Sequence, residues 1–158
     1  MNRLYYKYSD YLKDKYGQKV YKIPLNIPSG CPNRDGSKSY GGCIFCAPDG
    51  AGHENMADNV DIDFQYETMR ALLTKKYKAR RYIAYFQSYS NTYMPVEKFK
   101  YYMNAAAQLH DCAALYISTR PDCVEKQHLE FLLELKDKYD IDICIELGMQ
   151  SSNDETLK

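Results

Sequence analysis

The stretch DIDICIELG, residues 140–148, decides how this chain is read. Ile141, Ile143, Ile145 and Leu147 share one parity, while Asp142, Cys144, Glu146 and Gly148 share the other. Successive side chains of a strand point to opposite faces. The segment therefore lays an aliphatic face on helices and turns Glu146 to the interior of a barrel. A carboxylate inside a sheet is costly unless it has a partner, so Glu146 asks for a ligand or a counter-charge. Working outward, AALYIST (113–119), RYIAYFQ (81–87) and KVYKIPLNIP (19–28) also read as strands. The last alternates Val20 and Lys22 with Tyr21, Ile23, Leu25 and Ile27, and Pro24 marks an edge or irregular position.

Helical spacing fills the gaps between these strands. Leu4, Tyr8, Tyr11 and Leu12 predict a leading helix over 3–16, closed by Gly17. Ile62, Tyr66, Met69, Leu73 and Tyr77 predict one over 61–78. Pro95 opens another as a first-turn proline, with Val96, Phe99, Met103 and Ala106 on its apolar side. Asp122 and Glu125 have the spacing of a capping box ahead of Leu129, Leu132, Leu135 and Tyr139. Strand starts near 81, 113 and 141 recur at about 30 residues, the rhythm of βαβ units, which implies a parallel sheet. The expected fold class is α/β, a parallel-stranded partial barrel, with 1–17 as leading helix and 18–158 running from the first strand into a further helix beginning at SSNDETLK. A four-strand parallel sheet ending there leaves an open edge, so the expectation is the N-terminal part of a longer barrel.

The chain has 158 residues, enough for about one domain. With 21 basic and 21 acidic residues its net charge is zero, which gives no electrostatic footprint for a polyanion. No run of about 18 apolar residues suggests a membrane span, and MNRLYYKYSDYLKDKYG lacks a signal-peptide core. The expected location is the cytoplasm, where thiols stay reduced. The one dense basic run, KKYKARR (75–81), falls at a helix end and reads as a solvated face.

SGCPNRDGSKSYGGCIFC, residues 29–46, follows the first strand and carries Cys31, Cys43 and Cys46 at C-x11-C-x2-C spacing. Function gathers at the carboxyl ends of strands in parallel α/β folds, so the loop is well placed for a site. Six cysteines allow three disulfides, but three crowded into one loop suit a metal or cluster better. Zinc would need a fourth ligand, which His53 could supply. An iron–sulfur cluster held by three cysteines would keep one iron open to a ligand. Spacing leaves both open.

CPNRDGSKSYGGCIFC resembles the cluster loop of radical S-adenosylmethionine (SAM) proteins, in the branch related to the elongator catalytic subunit. YLKDKYGQKVYKIPLN (11–26), YFQSYSNTY (85–93), STRPDCV (118–124) and IELGMQSSNDETL (145–157) resemble that branch as well, in order at the ends of the strands. The resemblance implies a radical SAM barrel of (β/α)6 TIM type. It implies a 4Fe-4S cluster on Cys31, Cys43 and Cys46, the catalytic and metal-binding set. S-adenosyl-L-methionine would be cleaved there to a 5′-deoxyadenosyl radical that abstracts hydrogen from substrate. It further implies Phe45 against the adenine, Gln87 and Ser88 near the methionine amino group, and Glu146, with Gln150 nearby, at the ribose or amino group. Ser118 and Arg120 share a parity on the third strand and are further cofactor candidates. Arg120 could instead pair with Asp122 or with Glu146. Cys123 stands on the same rim, whereas Cys112 and Cys144 read as small buried hydrophobes. The partners implied are a flavodoxin- or ferredoxin-like electron donor and, as substrate, a tRNA wobble uridine. The rival reading is a non-catalytic zinc-binding module built from Cys31, Cys43, Cys46 and His53.

Overall fold

Three times along the chain a period of two gives way to a period of 3.6, and the fold follows from that alternation. The computed structural model describes residues 4–48, 50, 56–153 and 155–156. Its sheet has four parallel strands in sequence order: β1 (Val20–Leu25), β2 (Arg81–Phe86), β3 (Cys112–Thr119) and β4 (Asp142–Leu147). A leading helix α1 (Tyr8–Tyr16) precedes them, and α2 (Ile62–Tyr77), α3 (Val96–Ala107) and α4 (Lys126–Tyr139) make the three crossovers. The chain is therefore α/β with a parallel sheet. Among the described residues no helix is long and apolar enough to cross a membrane. Pro24 lies in β1, an edge strand, where its missing N–H costs no ladder bond on the open side.

The two faces of the sheet carry different cores. Ile23, Leu25, Tyr82, Phe86, Leu115 and Ile117 pack with Tyr66 of α2, Phe99 and Met103 of α3, and Leu132 and Leu135 of α4. On the opposite face Val20, Ile83, Ala114 and Tyr116 pack under Leu12 of α1, with Tyr85 and Cys144 beside them. The β4 alternation holds through Ile145: Ile141, Ile143 and Ile145 join the helix-side core and Cys144 belongs to the α1 side, whereas Leu147, expected to face the helices, is exposed at the strand's end. One contact reports the curvature. Lys22 Nζ of β1 lies 2.9 Å from Glu146 Oε1 of β4, the opposite edge strand. By register Lys22 is level with Asp142, so a flat sheet would hold the two residues roughly 20 Å apart. The sheet twists and curls toward this face.

Several boundaries move from their expected places. The leading helix begins at Tyr8 rather than near residue 3: Leu4, Tyr5 and Tyr6 are exposed, so the apolar spacing there meets no core, and Lys7 starts the helix without a side-chain cap. Its far end is as expected: Gly17 takes φ 68°. Pro95 stands at the cap of α3, one place ahead of the first helical residue. The helix expected at Asp122 starts later, after a short 3₁₀ turn Pro121–Cys123. Arg120 and Lys38 occupy the Asp122 carboxylate, so Glu125 becomes the cap, its N–H donating to His128 Nδ1 at 3.1 Å. The described residues after Gln150 form no helix, and part of that segment lies outside the described residues.

Candidate functional site

The loop after β1 is organised by its backbone and by two polar side chains. Cys31 carbonyl accepts from Arg34 N at 2.9 Å, Gly42 N donates to Asn33 carbonyl at 2.9 Å, and Cys46 N donates to Cys43 carbonyl at 2.9 Å. Gly41 and Gly42 sit at φ 80° and 86°, where a side chain would be strained. A Cβ on Gly42 would also stand 3.0 Å from Arg34 Nε. Arg34 is the loop's internal staple. It donates to Pro48 carbonyl at 2.9 Å, to Ala47 carbonyl, and to Cys46 Sγ at 3.5 Å, and it stands 5.4 Å from the Tyr89 ring. The hydrogen bond to Cys46 is the main reason its guanidinium is pushed above its ordinary pKa. Asn33 Nδ2 donates to Cys43 Sγ at 3.1 Å.

The other wall comes from the ends of β2, β3 and β4. Asn91, 1% exposed, donates to Phe86 carbonyl at 3.0 Å and Ser118 carbonyl at 2.8 Å, tying β2 to β3. Thr92 and Thr119 share a hydroxyl contact of 2.6 Å alongside. Ser90 N donates to Gly30 carbonyl and Gly30 N to Tyr93 carbonyl, which fastens the cysteine loop to this brace.

Between the two walls opens a cleft of about 330 Å³ at the carboxyl end of the sheet. All three loop cysteines line it, with Phe45, Gln87, Ser118, Arg120, Glu146 and Gln150. Nine of the residues singled out in the sequence thus meet at one place, and each of the four strands leads into its wall. Phe45 is largely exposed. Ser88 is buried, and it stands outside the lining, its carbonyl 3.5 Å from Ser29 Oγ. His53 lies outside the described residues.

The charged residues resolve their pairings. Arg120 forms a two-bond fork on Asp122, 2.9 Å at each contact, and Lys38 adds a third contact at 2.8 Å. These hydrogen bonds hold the Asp122 carboxyl far below the usual range. Arg120 therefore does not serve Glu146. That carboxylate takes Lys22 on one oxygen and Ser118 Oγ on the other, both at 2.9 Å. Burial pushes its pKa up, but the bonds from Lys22 and Ser118 outweigh this and hold it below the ordinary value.

All six cysteines are unpaired thiols. Cys112 and Cys123 are buried, and burial raises both. Cys144 is only half-buried, on the concave face. Among the described residues no three thiol, imidazole or carboxylate groups stand close enough together to hold a metal ion. The donor chemistry of the loop nonetheless fits a thiolate-bound centre. Three thiols share one cleft, and two of them already accept hydrogen bonds of the kind that stabilise sulfur charge.

Sequence reasoning passed over Arg34, Tyr89, Ser90 and Thr119, which also line the cleft; Gly148 lines it from the interior parity, and Leu147 lines it although its parity assigned it to the helices. It also passed over Lys22. Arg34 had a signal, a lone guanidinium three places after the first cysteine. Lys22 had one too, a cation at interior parity within a strand.

The chain is 34% identical over 152 residues to the uncharacterized protein YtqA of Bacillus subtilis, covering 96% of this chain and 47% of that protein. It is 36% identical over 150 residues to protein YhcC of Escherichia coli, covering 92% and 46%. It is 35% identical over 156 residues to the uncharacterized protein MJ0486 of Methanocaldococcus jannaschii, covering 98% and 47%. The chain thus spans about half the length of the curated relatives it matches. No family model and no solved structure matches it.

Proposed function

We propose that this chain carries the cofactor-binding part of a radical SAM enzyme, in the branch related to the elongator catalytic subunit, and that its curled sheet belongs to a (β/α)6-type barrel. One observation carries the reading: the three loop cysteines and candidate contacts from the ends of β2, β3 and β4 line a single cleft. On this reading Cys31, Cys43 and Cys46 hold a 4Fe-4S cluster. When bound, it supplies the electron that cleaves SAM reductively. The chain's own part is to bind, orient and shield. Phe45 offers an apolar face to the adenine, and Gln87, Ser118 and Gln150 offer hydrogen-bonding groups around the cleft. Glu146, kept ionised by its two donors, accepts from hydroxyl or ammonium groups of the cofactor. Arg34 and Asn33 fix the loop that brings the sulfurs to the cleft. Resemblance alone makes a tRNA wobble uridine the proposed substrate, a flavodoxin- or ferredoxin-like protein the proposed electron donor, and the cytoplasm the proposed location.

Anaerobic reconstitution with iron and sulfide tests the proposal. The expected result is a brown protein with about four irons per chain, as a 4Fe-4S cluster requires. Dithionite should bleach it, and added SAM should give 5′-deoxyadenosine. Cys31→Ala, Cys43→Ala and Cys46→Ala should each abolish the chromophore, whereas Cys112→Ala should keep it. A colourless protein holding one zinc, lost in His53→Ala, would overturn the proposal in favour of a zinc-binding module.

A further inference from the structure

Two hydrogen bonds of the cysteine loop end on sulfur, and they come from neighbouring residues. Asn33 Nδ2 donates to Cys43 Sγ at 3.1 Å, and Arg34 Nη2 donates to Cys46 Sγ at 3.5 Å. Both donors are held in place by other contacts. Asn33 carbonyl accepts from Gly42 N at 2.9 Å and from Ser39 Oγ at 3.2 Å, so its backbone is fixed without help from its side chain. The Arg34 guanidinium is fastened to the Pro48 and Ala47 carbonyls and lies against Gly42, where a Cβ would stand 3.0 Å from Nε and 3.2 Å from Nη2. The glycine leaves the room that the guanidinium takes. One neutral donor and one cationic donor are thus set on the two sulfurs of the C-x2-C pair.

A thiolate that ligates iron keeps lone pairs and still accepts N–H bonds. Reduction of a cluster by one electron adds negative charge that spreads onto its sulfurs. Donors aimed at those sulfurs stabilise the reduced state more than the oxidised one, and so raise the reduction potential. A guanidinium adds a Coulomb attraction of the same sign.

We propose that Asn33 and Arg34 raise the reduction potential of the cluster held by Cys31, Cys43 and Cys46, acting as positioning residues through the sulfurs. This rests on the cleft being the cluster site. In that reduction one electron passes from the donor protein to the cluster. No bond is made or broken, and no proton has to move, because Arg34 keeps its charge and Asn33 does not ionise.

The test is a redox titration of the anaerobically reconstituted chain without SAM, followed by the electron paramagnetic resonance of the reduced cluster. Arg34→Gln removes the charge and should lower the reduction equilibrium by about tenfold, which is roughly 59 mV for one electron. Arg34→Lys keeps the cation and should stay closer to wild type. Asn33→Leu removes the neutral donor at similar size and should lower the equilibrium about threefold, the uncharged bond being the weaker. Among the described residues the Asn33 side chain donates only to Cys43, so this variant decides the matter even if Arg34→Gln unfastens the loop and loses its iron. Potentials equal to wild type in the loaded fractions, with only the iron content reduced, would mean that both side chains merely shape the loop, and the proposal would fall. A wild-type chain that takes up no cluster would defeat the functional reading and this one together, whereas a cluster indifferent to both substitutions would defeat this one alone.

Discussion

Glu146 is the residue on which the two halves of the site depend, because Lys22 on the inner face and the cleft lie on either side of one carboxylate. Burial alone would raise its pKa, yet its bonds to Lys22 and Ser118 leave it depressed. A group with a depressed folded pKa gives its full stabilisation above its unfolded value, and that stabilisation is lost as pH falls through the folded pKa. Wild type should therefore be more stable than Glu146→Gln at neutral pH, by an amount that stays constant down to about pH 5 and shrinks below roughly pH 4. Urea unfolding at a series of pH values reads this directly. A gap that persists unchanged into acid would mean that packing, and not the ion pair, sets the difference. Lys22→Met should narrow the gap at neutral pH, since it removes the partner whose loss the glutamine mimics. Glu146's need for a partner was legible in the sequence, from parity alone. The partner was not: Lys22 lies 124 residues away, and only the curl of the sheet joins them.

At the scale of elements, the joint between β2 and β3 determines how the cleft is held open. Asn91 is buried, and its amide supplies two carbonyls, one at the end of each strand. Asn91→Ala removes the side-chain donor from both, although Ser118 carbonyl keeps the Asn91 backbone N–H at 3.2 Å, and should cost about 2 kcal/mol in urea unfolding. Asn91→Asp should cost more, because it sets a carboxylate against two carbonyl oxygens in a buried place. Equal costs for the two variants would show that the side chain merely fills space. The strands themselves were legible because a period of two survives any tertiary context that keeps one face apolar. Their joints were not. The spacing of Asp122 and Glu125 fits a capping box, but Arg120 and Lys38 compete for the same carboxylate and win, so the cap shifts to Glu125. Local patterns fail where a charged neighbour distant in sequence, such as Lys38, has a stronger claim on the side chain.

For the molecule as a whole, the two faces of the sheet should differ in how tightly they are held. The helix side buries Phe99, Met103, Tyr66, Leu132 and Leu135 against all four strands. On the concave side α1 contributes one buried residue, Leu12, and lies against Val20, Ile83, Ala114 and Tyr116. A helix with one fully buried side chain, helped by the half-buried Tyr16 and the Lys15–Asp142 ion pair at 3.0 Å, can open while the sheet remains intact. Native-state hydrogen exchange should therefore show α1 amides exchanging through local opening and β2 and β3 amides only through global unfolding. Leu12→Ala should speed α1 exchange and leave the central strands nearly unchanged. Phe99→Ala removes a wholly buried ring, which typically costs about 3–5 kcal/mol, and should speed the central strands by more than about a hundredfold. If Leu12→Ala accelerated β3 as much as α1, the two layers would be one cooperative unit. Because Tyr8 of α1 also covers Lys22, the same opening should expose that ammonium. Access to the concave face would then follow the exchange rate of α1.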